Sequence, residues 1–188
     1  MTRIVAGVAG GRRLQVPPRG TRPTSDRVRE AMFSALEVLL DLDGMRVLDL
    51  YAGSGALGFE ALSRGAAAAT FVEADRRASD VLRANARDLG LPGVAVVGRP
   101  AESVVSAPAD TPFDLIFLDP PYSVTDDQLA KVLSGLVTNG WTSPGTVLIV
   151  ERGARSPEPR WPSPVESLRD KRYGDTVLYW GEHPTSEG

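Results

Sequence analysis

The residues best suited to chemistry lie in one stretch, Phe113-Asp114-Leu115-Ile116-Phe117-Leu118-Asp119-Pro120-Pro121-Tyr122. An apolar run that ends abruptly in Asp-Pro-Pro-Tyr predicts a buried strand delivering an acid, a stiff corner and an aromatic ring to its exit. Two successive prolines hold the chain extended and leave the Pro120 carbonyl without a ladder partner. With the Asp119 carboxylate, that carbonyl makes two acceptors, suited to the two hydrogens of an amino group, and Tyr122 offers a flat face for a base. The competing reading is an ordinary turn after a strand, and the rest of the chain has to decide between them.

A second set of residues precedes this one. Val47-Leu48-Asp49-Leu50-Tyr51 predicts a strand, and Ala52-Gly53-Ser54-Gly55-Ala56-Leu57-Gly58 turns it into a helix through Ala61 and Leu62. Glycine turns of this kind let backbone approach a ligand and point helix N-terminal amides at it. Gly53-x-Gly55-x-x-Gly58 matches the dinucleotide fingerprint, and Glu73, 20 residues beyond Gly53, ends the strand Thr70-Phe71-Val72 where a ribose-binding acid belongs. That pattern admits a nicotinamide cofactor. Asp49, four residues before Gly53, extends it to Asp-x-x-x-Gly-x-Gly. The longer pattern looks like the loop that holds S-adenosylmethionine, with the acid facing the amino-acid portion of that cofactor. A strand-end carboxylate satisfied by loop amides is the other reading of Asp49.

For these groups to meet, helices and strands must alternate around one sheet. Thr24 or Ser25 can cap a helix whose Val28, Met32, Ala35, Leu36 and Leu39 keep helical spacing until about Asp43-Gly44. Asp75 to Gly90 predicts a crossover helix with Ala78, Val81, Leu82, Ala86 and Leu89 inward, and Val94 to Val97 the strand after it. Asp126 to Val137 reads as a helix, Thr146 to Val150 as a strand and Arg152 to Pro164 as a proline-rich loop. Val165 to Leu168 and Thr176 to Trp180 pair as a closing antiparallel hairpin, with Trp141 and Trp180 as packing residues. The result is a three-layer α/β sheet. Its ligands belong outside the carboxyl ends of the strands at the switch in strand order, which puts the glycine turn and Asp119 on a common cavity.

Composition narrows the function classes. The chain has 188 residues, 42% of them apolar, enough for one domain with a sizeable core. Cysteine is absent and the one histidine, His183, lies in a polar C-terminal stretch, so disulfides and thiolate metal sites are excluded and no metal is expected. No apolar run approaches membrane-spanning length, and the chain reads as cytoplasmic, with no membrane partner. The net charge of -3 conceals an asymmetry: residues 1–30 carry seven arginines against Asp26 and Glu30, while the remainder has 14 basic and 22 acidic residues. Arg3-Ile4-Val5-Ala6 and Arg13-Leu14-Gln15-Val16, around Gly7, Gly10 and Gly11, read as a hairpin too short to hold a core. It is expected to project from the main domain with Arg12 and Arg13 near its turn, as a phosphate-binding arm or as a solvated charged face.

Several separated blocks together resemble the bacterial ribosomal RNA small-subunit guanine-N2 methyltransferases. They are Arg3-Ile4-Val5-Ala6-Gly7 with Gly11-Arg12-Arg13-Leu14, Arg22-Pro23-Thr24-Ser25-Asp26-Arg27-Val28-Arg29-Glu30, Asp49 to Gly58, Glu60-Ala61-Leu62-Ser63-Arg64-Gly65, Asp119 to Tyr122 and Tyr173-Gly174-Asp175-Thr176. The arginine-rich N-terminal pair narrows the choice among methyltransferases. The resemblance implies a Rossmann-like, mostly parallel seven-stranded sheet with helices on both faces, a terminal antiparallel hairpin and a small N-terminal β-hairpin. It implies an N-terminal RNA-recognition extension over 1–20, a methyltransferase domain over 21–182 and a flexible tail over 183–188. By the same resemblance Asp119, Pro120, Pro121 and Tyr122 are catalytic, and Asp49, Tyr51, Gly53, Ser54, Gly55, Glu73 and Ala74 bind S-adenosylmethionine. Arg3, Arg12, Arg13, Arg19 and Arg22 would meet 16S ribosomal RNA or a small-subunit particle, and the protein would act as a monomer. Tyr51 stands where the family usually has Phe, and Arg99 or Pro100 where an acid or other polar residue usually meets the adenine amine. Rivals are an adenine-amine methyltransferase acting on DNA or RNA, a nicotinamide oxidoreductase, and a non-catalytic RNA-binding assembly factor.

Overall fold

The computed structural model describes residues 2–18 and 24–186. Fourteen elements alternate along the described residues. A two-residue strand pair, β1 (Thr2–Arg3) and β2 (Arg13–Leu14), is followed by α1 (Asp26–Leu39), β3 (Arg46–Leu50), α2 (Ala56–Ser63), β4 (Ala68–Val72), α3 (Arg76–Leu89) and β5 (Val94–Val97). Then come α4 (Ala101–Val105), β6 (Leu115–Leu118), α5 (Asp126–Thr138), β7 (Val147–Gly153), β8 (Glu166–Tyr173) and β9 (Thr176–Glu182). The seven-stranded sheet has the order β5-β4-β3-β6-β7-β9-β8, parallel through β7 and antiparallel at β9 and β8.

Strand side chains divide by their period of two. Val47, Leu115, Phe117, Val147 and Ile149 pack with α1, α2 and α3, whereas Leu48, Leu50, Ile116, Leu118, Leu148 and Val150 pack with α4 and α5. All four side chains of β6 are buried, as expected of a central parallel strand covered on both faces. Strand β8 runs five residues beyond the expected Leu168. It is a polar edge strand carrying Arg169, Asp170, Lys171 and Arg172, exposed almost throughout, so no apolar alternation announces it. Helix α1 stops at Leu39 rather than near Asp43. Asp41 accepts from the Asp43 amide in a tight turn, and Leu42 folds back into the core. His183 is not loose: its amide donates to the Thr146 carbonyl, its carbonyl accepts from Gly145, and its Nδ1 lies 3.0 Å from the Thr142 hydroxyl.

The N-terminal segment does not project. Ile4, Ala9 and Leu14 are buried in the core of the α1–α3 face. Glu60 on α2, fully buried, accepts from the Val5 amide at 2.8 Å and the Ala6 amide at 3.1 Å. It also accepts from Arg29 at 3.3 Å and Arg64 at 2.9 Å. Ser63 continues the seam, its Oγ accepting from Ala9 and donating to the Ala6 carbonyl. Gly7 makes the contact possible, because a Cβ there would stand 1.9 Å from the Ser63 carbonyl oxygen. A hairpin too short to fold alone is thus stable by sharing the domain's core and burying its amides on side-chain acceptors.

Glu60→Ala should therefore lower the urea midpoint sharply. It leaves the buried Arg29 guanidinium with Asp26 alone and takes the acceptor from two backbone amides, a loss of about 3 to 5 kcal/mol if the pair behaves as other buried pairs do. A midpoint within error of wild type would refute this account of the seam.

Candidate active site

Three neighbouring parallel strands each bring an acid toward one edge of the sheet. Asp49 is the fourth residue of β3; Asp119 follows β6 directly; Glu151 follows Val150 on β7, and Val150 pairs with Leu118. Val47, Phe117 and Ile149, each two residues earlier, face the α1–α3 side, so the three acids leave on that side too. The Thr24 hydroxyl, just before α1, lies between two of them, 2.6 Å from Glu151 Oε2 and 3.3 Å from Asp119 Oδ2. One hydroxyl hydrogen cannot serve both carboxylates. Burial, then the charge of Glu151 and its hydrogen bond, then Asp49 hold the Asp119 carboxyl well above the usual carboxylate range. A proton retained on Asp119 completes the chain through Thr24.

The glycine turn follows β3. Tyr51 takes a left-handed backbone, φ 59°, and Gly55, φ 86°, caps α2. A Cβ at Gly55 would come within 2.4 Å of Phe59 and 2.6 Å of Leu82, so both conformation and space demand glycine. Glu73 fixes the turn from β4: its Oε1 accepts from Gly53 at 2.8 Å and its Oε2 from Asp75 at 2.9 Å. Asp49, buried, accepts from the Gly58 amide at 3.0 Å. The first turn of α2 therefore faces a buried acid where a dinucleotide's pyrophosphate would sit, which counts against the nicotinamide reading. Burial is also why the Asp49 carboxyl is pushed up to about 8, with the Gly58 bond opposing and Glu73 adding.

Asp119 is shared by three cavities. One of about 360 Å³ is lined by Tyr51, Gly53, Glu73, Ala74, Pro100 and Glu102 together with Asp119 and Pro121. A smaller one, about 40 Å³, lies against Asp49, Gly53 and Ser54. The third, about 310 Å³, holds Asp119, Pro120, Pro121 and Tyr122 opposite Thr24, Glu151 and Thr176. Tyr122 is exposed at its rim, 88% accessible. Among the described residues no backbone amide donates to the Pro120 carbonyl. Gly55 lies beneath the turn, closed off by Phe59 and Leu82. The Tyr51 hydroxyl is buried without a partner. Its pKa, pushed up to about 12 by burial and then by Glu102, keeps it a donor. After β5 it is Pro100, Ala101 and Glu102 that reach the cavity wall, with Arg99 not among the lining residues.

The described arginines are dispersed around this site rather than gathered in it. Arg3 pairs with Asp26 at 3.7 Å, Arg12 donates to the Asp88 carbonyl at 2.8 Å, and Arg13 is exposed; Arg19 and Arg22 lie outside the described residues. Residues that carried no motif complete the site. Asn85 on α3 exchanges hydrogen bonds with both backbone groups of Gln15 and donates to the Ser54 carbonyl at 2.9 Å. Just beyond, Val16 and Pro17 form part of the cavity walls. The N-terminal segment is thus joined to the glycine turn, and its removal would disturb the cofactor-sized cavity, contrary to the expectation of an independent arm. Among the described residues there is no cluster of three or more His, Asp or Glu able to hold a metal ion, and no helix long and apolar enough to cross a membrane.

Asp49→Asn should stabilise the ligand-free protein in a pH-dependent way. A carboxyl whose folded value is about 8 against an ordinary 3.8 contributes stability that is whole below the lower value. That stability is lost as pH rises to the upper one. Asparagine keeps the Gly58 bond and does not titrate. Melting curves should show the variant's advantage growing between roughly pH 4 and 8 and then levelling; an advantage constant across that window would contradict the assignment.

The family described as conserved hypothetical protein 95 matches residues 2–181. The ribosomal RNA small subunit methyltransferase D of Escherichia coli strain K12 is 40% identical over 177 residues, covering 93% of this chain and 86% of that protein. Its Haemophilus influenzae counterpart is 37% identical over 153 residues, 79% and 77% of the two chains. The solved structure of the Escherichia coli methyltransferase yhhF superposes with a TM-score of 0.87 at 34% identity, covering 98% of each chain. A solved structure from Haemophilus influenzae, of the methylase HI0767, does so at 0.79 and 31%, covering 97% and 98%. With a family match over nearly its whole length and relatives this similar, the chain belongs to the ribosomal RNA small subunit methyltransferase D family.

Proposed function

We propose that the protein methylates the exocyclic N2 of a guanine in 16S ribosomal RNA, on a small-subunit particle, with S-adenosylmethionine as methyl donor. The observation that carries this reading is Asp119: the acid of Asp-Pro-Pro-Tyr is common to a cavity behind the glycine turn and to a base-sized cavity rimmed by Tyr122. The first cavity suits the donor. Tyr51 offers an unpartnered buried hydroxyl, and Glu73 keeps one acceptor position on each oxygen for ribose hydroxyls. Asp49 offers an acid to an ammonium, Gly53 and Ser54 supply backbone around it, Ala74 lines the larger cavity, and Gly55 shapes the turn from beneath. When bound, S-adenosylmethionine supplies a sulfonium methyl, an electrophile whose departure leaves a neutral thioether.

The chain's own residues prepare the nucleophile. A guanine amine is a poor one, because its lone pair is delocalised into the ring. Asp119 and the Pro120 carbonyl, accepting from its two hydrogens, draw the nitrogen toward tetrahedral geometry and stabilise the positive charge that grows there. Asp119, which gives up its own proton when the cationic donor and the amine occupy the cavities, then takes the proton that the nitrogen loses. Pro121 fixes the corner, and Tyr122 gives the extruded base a surface to stack on. Arg3, Arg12 and Arg13, with Arg19 and Arg22, supply phosphate contacts that position the RNA.

Two measurements test the reading. Asp119→Ala should abolish tritiated-methyl transfer to undermethylated small-subunit particles while calorimetric affinity for the donor stays near wild type; Glu73→Ala should weaken that affinity by about 1.5 to 3 kcal/mol. Near-normal turnover in Asp119→Ala would defeat the mechanism. Arg12→Ala/Arg13→Ala tests the RNA interface and is better suited than a deletion, since the segment carrying these arginines is part of the core. Its particle affinity should fall less steeply with salt, by roughly 0.7 to 0.9 in log-log slope for each phosphate that the variant leaves without its arginine. Equal slopes would remove those arginines from the interface.

A further inference from the structure

The second acid in the base-sized cavity has no role in the chemistry so far. Glu151 stands beside Asp119 on the adjacent strand, on the same face, and both line the cavity with Thr24 and Tyr122. Among the described residues Glu151 has no cationic partner: Arg152, its neighbour in sequence, pairs instead with Asp126 at 2.7 Å. Its side-chain neighbours are the Thr24 hydroxyl, at 2.6 Å, and the carboxyl of Asp119. An acid placed in a cavity beside another acid, with one neutral hydroxyl between them, is costly to keep for packing alone. It is better matched to a ligand that brings several hydrogen-bond donors side by side.

We propose that Glu151 determines base specificity by accepting a hydrogen bond from the ring N1–H of the target guanine, while Asp119 and the Pro120 carbonyl accept from its 2-amino group. The inference rests on the guanine-N2 reading above. Guanine presents N1–H directly beside its amine, so two neighbouring acids meet neighbouring donors. Adenine, cytosine and 2-aminopurine present a lone pair next to their amines, and a carboxylate repels it. Glu151 therefore accepts one base and rejects the others, which Asp119 alone cannot do, since every one of these bases carries an amine.

The test uses small-subunit particles reconstituted with RNA carrying either guanine or 2-aminopurine at the nucleotide that the wild-type protein methylates. Both bases have the 2-amino group and differ at N1 and O6. Wild type should prefer guanine by about 100-fold or more in single-turnover rate over affinity. Glu151→Gln, whose amide can meet either a donor or an acceptor, should lose about 10- to 100-fold on guanine. Its preference should collapse to within about tenfold. Glu151→Ala should show the same collapse and serves if the glutamine variant folds poorly; donor affinity by calorimetry should match wild type in both. A guanine preference unchanged in variants that bind donor normally, or absent in wild type, overturns the role of Glu151 alone. No transfer by wild type to the guanine particle overturns the guanine-N2 reading itself.

Discussion

Like charge crowded at the ends of three parallel strands is the constraint around which this structure is arranged. In-register pairing of β3 with β6 and of β6 with β7 sends Asp49, Asp119 and Glu151 out on one face, with no cation between Asp119 and Glu151 among the described residues. The fold tolerates the arrangement by using backbone amides and a hydroxyl: Gly58 donates to Asp49, and Thr24 sits between Asp119 and Glu151. Protons held by Asp49 and Asp119 relieve the remaining repulsion. Such a cluster is relaxed by ligands that bring positive charge or several donors, and a sulfonium cofactor with an ammonium group and a purine amine edge are ligands of that kind.

The covering of that cluster explains why the N-terminal segment is inseparable from the domain. Glu60 and Ser63 take up its amides, Asn85 ties Gln15 to the carbonyl of Ser54, and Val16 and Pro17 close the cavities over Asp49. The segment that carries Arg12 and Arg13 on its outside thus forms part of the wall of the cofactor-sized cavity on its inside.

The layout of the candidate site was legible because it rests on local rules. A strand followed by Gly53-x-Gly55 has few ways to turn, and the contacts at Gly55 leave no room for any side chain. A buried run ending in two prolines must release its acid at the end of the strand, and Asp119, Asp49 and Glu73, singled out by their places beside such turns, all line the cavities. Amphipathic helices and buried parallel strands carry their period in the sequence, and α3 and β5 run where that period puts them. What tertiary structure alone decided are features without a period. The run of strand β8 past Leu168 is a polar edge that its partner β9 defines; Glu151 and Asn85 look like solvent-facing residues until β6 and the N-terminal segment are placed beside them. The arm reads as too small to fold, and it is, taken alone. Its burial depends on Glu60, more than fifty residues away, and a contact at that separation leaves no trace in local spacing.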